Sequence, residues 1–343
     1  SGLESPLVGS DVEIVEAFDA LLRDSVRGCL ISDVPLGAFL SGGIDSSLIV
    51  ALMRSESAVA PQTFTIGFED NRFDESPFAE QVAQHLGCDH VHMQCTAADA
   101  QQLVPTLADS YDEPFADSSQ IPTLLLSKLT RKQVTVALSG DGGDELFCGY
   151  DRYFWMERLQ RLRGVKSRGV RIAQKLLGTA SHGAVNAIAA RLPLADRTLA
   201  AVDRWQHLAR MAARADDYGY LYRTNPMTVC NHSDVRLLRQ ELSEKSILDD
   251  PMLRAAIPDL LPWMQFVDSQ TYLPDDLLQK VDRASMAYSL EARVPYLDHR
   301  IVEFAWAVPA HLKLRNGRGK ILMRQLLSRH LPQSLIERPK RGF

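Results

Sequence analysis

The chain has 343 residues, 45% of them hydrophobic and 24% charged, with a formal net charge of −5 at pH 7. That is length for one large domain or two smaller ones, with the composition of an ordinary globular protein. The acidic balance supplies no bulk field for nucleic acid or an anionic membrane, and no stretch approaches the ~20 consecutive apolar residues of a membrane helix.

The five cysteines, Cys29, Cys88, Cys95, Cys148 and Cys230, are odd in number and form no CxxC pair. That favours a reducing, cytoplasmic setting over a disulfide framework. The chain opens Ser1-Gly2 without a signal-peptide pattern. It stops at Arg338-Pro339-Lys340-Arg341-Gly342-Phe343, and both ends read as cuts in a longer polypeptide.

In chain order, Val12, Val15, Phe18, Leu22 and Val26 recur at three or four and predict an amphipathic helix. The apolar run Val34–Leu40 predicts a buried strand, ended by Ser41-Gly42-Gly43, and Ile44–Arg54 a helix. Gln62–Phe68 alternates and predicts a strand, Ser76–Leu86 a helix, and His90–Gln94 a short strand. Helical stretches at Asp99–Asp109 and Ile121–Lys128 lead to a strand at Val134–Leu138.

Strands alternating with helices predict an α/β fold, a doubly wound parallel sheet covered on both faces. Past Tyr150 the pattern changes: residues 153–216 are rich in Ala, Arg and Leu and read as helical. Pro258 and Pro262 interrupt, and helices resume at Leu277–Ser289, His299–Val308 and Lys320–His330. The expected organisation is a nucleotide-binding α/β core over residues 1–150 and a mainly helical part over 151–343. The second part folds back if its motifs serve the same site.

The most informative segment is Leu40-Ser41-Gly42-Gly43-Ile44-Asp45-Ser46-Ser47. A buried strand runs into a Gly-Gly turn and then the first turn of a helix. The glycines let the backbone approach a ligand closely, and the free N–H groups with the helix dipole make an anion site. Ser46 and Ser47 add hydroxyl donors. Asp45 would repel a phosphate unless a divalent cation lies between them, and Mg²⁺ is the usual solution. The GxxxxGK[ST] pattern of kinase and GTPase loops is absent. A capped helix after a tight turn would explain SGG alone, but it explains SGGxDS after a strand poorly.

A second loop, Ser139-Gly140-Asp141-Gly142-Gly143-Asp144-Glu145, also follows an apolar strand. Three glycines and three carboxylates suit neither core nor helix interior, and they fit a loop holding a second metal-facing carboxylate. In an open parallel sheet, ligands lie beyond the carboxyl ends of the strands, where both loops would sit.

SGGIDSS followed by LSGDGGDELFCGY resembles the C-terminal ATP-pyrophosphatase (PP-loop) synthetase domain of class B, glutamine-hydrolysing asparagine synthetases. PDDLLQKVDR from Pro274, LEARVPYLD from Leu290 and GKILMR from Gly319 match the same family. The resemblance implies ATP and Mg²⁺ as cofactors. Ser41, Gly42, Gly43, Asp45, Ser46 and Ser47 would hold the phosphates, with Asp45 and Asp144 on the metal. Leu40 and Ile66 would lie against the adenine through their backbones, and Ser139 and Gly140 would border the nucleotide and the activated carboxyl. Asp141 falls where many relatives carry Glu and would steer ammonia or handle protons. Lys320 would neutralise the α-phosphate as pyrophosphate leaves, and Lys340 and Arg341 would guide that departure. Cys148 stands where relatives commonly have Gly.

By this resemblance the activity is conversion of aspartate to asparagine through a β-aspartyl-AMP intermediate. Ammonia would come from a glutaminase domain that has no counterpart here. The same adenylation on another small carboxylate, for sugar-acid amidation or lactam and peptide cyclisation, stays open. So do a non-catalytic nucleotide-binding subunit and assembly into a homo-oligomer. β-Lactam-forming relatives tend to carry Tyr at the Asp141 position, which favours ammonia chemistry.

Four other features compete for a function. His85, Cys88, His90, His92 and Cys95 crowd together, but in no zinc-site spacing. Lys313, Arg315, Arg318 and Lys320 form a basic run, which in an acidic chain reads as a solvated loop ending in one phosphate-handling lysine. Glu291 and Arg293 read equally as a structural ion pair or as substrate contacts. Asp117-Ser118-Ser119 reads first as a helix cap, and the resemblance adds a substrate-side role.

Overall fold

The computed structural model describes residues 2, 5–70, 74–163, 217–223 and 246–337. Ser10 opens helix α1 (Asp11–Cys29): its hydroxyl accepts from the Glu13 N–H at 3.3 Å, and the Glu13 carboxylate accepts from the Ser10 N–H at 2.7 Å. Ile14, Val15, Phe18, Leu22 and Val26 make its buried stripe. Val12, expected on that stripe, lies in the first turn at its margin and is 67% exposed. The cap is worth about 1 kcal/mol, whereas each buried apolar chain contributes roughly 1.5–3 kcal/mol. Packing, not capping, therefore fixes α1.

The expected α/β alternation follows: β1 (Leu36–Phe39), α2 (Ile44–Glu56), β2 (Gln62–Phe68), α3 (Ser76–Leu86) and β3 (Asp89–Cys95). Residues 46–53 of α2 are all buried, because Leu48 to Met53 are apolar on every side of the helix. The helix expected at Asp99–Asp109 is divided into α4 (Ala97–Leu103) and α5 (Leu107–Ser110). Pro105 lies in a 3₁₀ turn between them, since proline has no N–H to continue an α-helix. Then come α6 (Gln120–Thr130), β4 (Val136–Leu138) and α7 (Gly143–Phe147).

A fifth strand, β5 (Glu291–Arg293), completes the sheet in the order β3-β2-β1-β4-β5, with every pairing parallel. It escapes sequence reading because Glu-Ala-Arg is mostly polar and, at three residues, too short to establish a period. From β1 the chain winds outward to β2 and β3, then returns to β4 on the other side of β1. The point of reversal lies between β1 and β4, where open α/β sheets form their ligand crevice.

Two compact units divide the chain: residues 1–149 with 268–343, and residues 150–267. In the second, α8 (Asp151–Arg163) precedes a cluster in which Trp263 meets the Tyr218 and Tyr222 rings edge-on at 5.6 and 6.1 Å. In the first, a π-helical turn (Leu273–Leu278) runs into the helix Gln279–Met286. Pro274 lacks the N–H for an α-helical bond there. No helix among the described residues is long and apolar enough to cross a membrane.

Candidate functional site

Both glycine loops leave the carboxyl ends of neighbouring strands. Leu40 is 1% exposed and donates its N–H to the Phe64 carbonyl at 2.9 Å, tying the first loop to β2. The Ser46 hydroxyl accepts from the Ser41 N–H at 3.2 Å and lies 3.0 Å from the Ser41 hydroxyl, which accepts from the Gly43 N–H at 3.1 Å. Gly42 has φ +71°, and a side chain there would run into the Ala79 nitrogen of α3 at 2.8 Å. The turn therefore requires glycine on two counts, backbone conformation and space. Ser47 is 1% exposed, and its hydroxyl has no hydrogen-bond partner among the described residues.

The second loop is held from the other side. Ser139 donates its N–H to the Arg293 carbonyl at 2.8 Å, and its hydroxyl lies 2.5 Å from Asp141 Oδ2. Burial pushes the Asp141 carboxyl above the usual carboxylate range and Asp144 adds to this, while the Ser139 hydrogen bond and the Lys280 charge oppose it. A Cβ on Gly140 would lie 2.8 Å from the Ser46 nitrogen and 3.0 Å from the Asp45 Cβ, so the two loops touch.

Lys320 closes the site. It follows a hairpin of Leu314–Arg315 and Arg318–Gly319, turned by Asn316 and Gly317, both with positive φ. Its N–H donates to the Phe147 carbonyl at 2.9 Å. Its ammonium is ion-paired with Asp45 and lies 2.5 Å from Asp144 Oδ1. Burial works against that charge, but the two carboxylates outweigh it and hold the ammonium above the ordinary lysine range. Tyr296, fully buried, donates its hydroxyl to the Asp45 carbonyl at 3.1 Å.

The structure thus brings together Leu40, Ser41, Gly42, Gly43, Asp45, Ser46, Ser47, Ser139, Gly140, Asp141, Asp144 and Lys320. Ile66 lies within β2, two residues before its end, with its side chain in an apolar cluster beside Cys95, Leu103 and Tyr111. A pocket of about 530 Å³ lies past the ends of β2 and β3, lined by Phe68, Cys95, Ser118, Ile121 and Pro122 among others. Lys340 and Arg341 lie outside the described residues.

Asp45 and Asp144 suit a hard divalent cation: two carboxylates already converge on one positive charge, and a Cβ on Gly143 would collide with the Asp45 carboxylate. No three His, Cys, Asp or Glu side chains among the described residues are grouped to hold a metal. An ion here would take its other ligands from phosphate and water. In the histidine–cysteine cluster, His90 Nδ1 is instead 2.9 Å from the Thr63 hydroxyl. In the basic run, Arg315 pairs with Asp11 at 3.0 Å, Arg318 with Glu337, and Lys313 is buried.

The PDDLLQKVDR motif and Asp117-Ser118-Ser119 meet in a cluster around Lys280 that neither segment reveals by itself. Lys280, 8% exposed, donates to Asp117 Oδ2 at 2.6 Å and to the Ser119 hydroxyl at 2.7 Å. Asp117 also accepts from the Ser119 N–H at 2.7 Å. Burial would raise the Asp117 carboxyl, but Lys280 and Ser119 hold it below its ordinary value. Nearby, burial and then the Asp117 charge push Asp276 upward. The available signal was a lysine among Leu277, Leu278, Val281 and Ala284, on a stretch otherwise fit for the core. Arg293 is a staple: it pairs with Glu291 at 2.6 Å and donates to the Cys29 and Ile31 carbonyls at 2.8 and 2.7 Å.

Fold and loops define a parallel α/β protein whose two glycine loops meet at the reversal point of its sheet, where proteins of this class form their ligand crevice. The sequence model of the family described as Asparagine synthase matches residues 17–343, and the chain belongs to that family. It is 31% identical over 342 residues to Asparagine synthetase (glutamine-hydrolyzing) 1 of Bacillus subtilis strain 168, covering 98% of this chain and 50% of that protein. It is 32% identical over 341 residues to a Putative asparagine synthetase (glutamine-hydrolyzing) of Mycobacterium tuberculosis strain H37Rv, covering 99% and 49%. Amidase chyE of Penicillium rubens is 26% identical over 386 residues, covering 97% and 52%. The chain spans about half the length of these relatives.

Proposed function

We propose that the chain performs the synthetase reaction for which its relatives are named. ATP and aspartate would form β-aspartyl-AMP and pyrophosphate, and ammonia would displace AMP to give asparagine. The observation that carries this reading is the convergence of Asp45 and Asp144, from two neighbouring glycine loops, on the ammonium of Lys320.

A carboxylate resists attack at neutral pH because its leaving group would be oxide, and adenylation replaces oxide with AMP. Ser41, Gly42, Gly43 and Ser46 present a backbone and hydroxyl cradle for the phosphates. Ser47 offers them a buried hydroxyl that has no hydrogen-bond partner among the described residues. Asp45 and Asp144 would hold Mg²⁺, which spreads charge over the phosphates when bound. Lys320 would supply a permanent positive charge where negative charge builds on the α-phosphate. Asp141, kept by burial readier to bind a proton, stands beside Ser139 to take one from the attacking amine. Leu40 and Ile66 would border the adenine, and Lys340 and Arg341 would guide pyrophosphate away. Ammonia would come from a glutaminase domain, and the reaction would run in the cytoplasm.

The test is ATP–pyrophosphate exchange by the full-length protein with a panel of acids. Exchange that requires aspartate, and asparagine formation on adding ammonium, is the expected result. Exchange with another acid alone would move the substrate and keep the chemistry, while ATP binding without any exchange would overturn the catalytic reading.

A further inference from the structure

The cation position between Asp45 and Asp144 is taken by a group of the chain itself. Lys320 reaches both carboxylates with one nitrogen, and only 7% of its side chain is exposed. Its backbone is fixed, with φ +58° and its N–H on the Phe147 carbonyl. The surrounding backbone fits the arrangement closely. A Cβ on Gly149 would strike both the Asp144 carboxylate and the Lys320 Cε, and one on Gly143 would strike the Asp45 carboxylate. The Gly149 N–H donates to the Asp144 carbonyl at 2.8 Å, holding that residue in place.

A divalent cation on these carboxylates would face an ammonium held against them. Like charges in a poorly solvated site repel far more strongly than they do in water. Among the described residues the ion meets two carboxylates, Asp45 and Asp144, while Mg²⁺ requires six oxygens in octahedral array. The metal alone would thus have to displace Lys320 from its two carboxylate partners and strand a buried ammonium, which is strongly unfavourable. A triphosphate changes both terms: its oxygens complete the metal's ligands, and its negative charge receives the ammonium.

We propose that Lys320 is a resident counterion that keeps the divalent-cation site closed until nucleotide arrives. Metal and triphosphate then enter together, and the lysine passes from the carboxylates to the phosphate. No proton moves, because the ammonium stays charged throughout. The inference rests on the metal assignment made above and adds an order of binding to it.

The experiment is Mn²⁺ binding to the full-length protein, followed by electron paramagnetic resonance with and without a non-hydrolysable ATP analogue. Wild type is expected to bind Mn²⁺ at least about tenfold more tightly with the analogue than the analogue and protein do separately. K320M is expected to gain about tenfold in nucleotide-free Mn²⁺ affinity, and K320R, which keeps the charge, to stay like wild type. Wild-type protein that holds Mn²⁺ without nucleotide as tightly as with it would overturn the proposal, whether or not K320M folds. If D45N and D144N leave Mn²⁺–analogue binding intact, the metal assignment itself fails. If they abolish it while wild type binds free Mn²⁺ tightly, only the gating by Lys320 fails.

Discussion

The Lys320 ammonium lies 2.5 Å from the Asp144 carboxylate and reaches Asp45 with the same nitrogen. One residue from late in the chain thus joins two loops formed early in it. The joint depends on β1 and β4 being neighbours, because only adjacent parallel strands release their loops into one crevice.

The contact between the loops can be tested through Gly140. In G140A the new methyl would press on the Ser46 nitrogen and Asp45 Cβ, both parts of a fixed helix start. Overpacking of this kind costs about 1–3 kcal/mol. We expect MgATP affinity to fall at least about tenfold, or about 1.4 kcal/mol, by calorimetry. An unchanged Kd would place the nucleotide elsewhere.

Lys280 and Asp117 form a buried pair, so removing one partner strands the other charge. K280M should destabilise the protein by on the order of 3 kcal/mol in urea unfolding at pH 7. The pH dependence follows from the lowered carboxyl of folded Asp117. Its contribution is complete above the unfolded carboxyl's value of about 3.9 and is lost as pH falls through the lower folded value. The gap between wild type and K280M should therefore narrow in acid. A gap that widens below about pH 4 would contradict the pairing.

Arg293 fastens β5 to the end of α1 through the Cys29 and Ile31 carbonyls, and its own carbonyl holds Ser139. R293A keeps the backbone bond to Ser139 and loses the two guanidinium bonds, which should cost about 2–3 kcal/mol in unfolding free energy. A cost equal to that of E291A would mean that only the exposed ion pair mattered.

Tyr296 contributes one buried hydrogen bond, to the Asp45 carbonyl. Y296F should lower stability by about 1 kcal/mol, measured by thermal unfolding. A stability unchanged from wild type would show that the hydroxyl does not anchor the start of α2.

Much of this was legible in the sequence, for physical reasons that differ between elements. α1 and β2 announce themselves by period, and the two loops by glycines and carboxylates that suit neither core nor helix. β5 was hidden because strand pairing, not composition, makes Glu291–Arg293 a strand. Lys320 was singled out for phosphate, but its ion pairs with Asp45 and Asp144 depend on the hairpin turned at Asn316-Gly317. The Lys280–Asp117 pair was hidden for a similar reason: it forms only when the helix Gln279–Met286 lies against α6. Charge pairs distant in sequence carry no local periodicity.

The most direct test of two loops sharing one metal–nucleotide complex is a double-mutant cycle of D45N and D144N in MgATP binding. If both carboxylates serve the same ion, losing the second after the first changes little, and the coupling should reach about 1–3 kcal/mol. Effects that add to within about 0.5 kcal/mol would mean that the two carboxylates act independently, which contradicts a shared site.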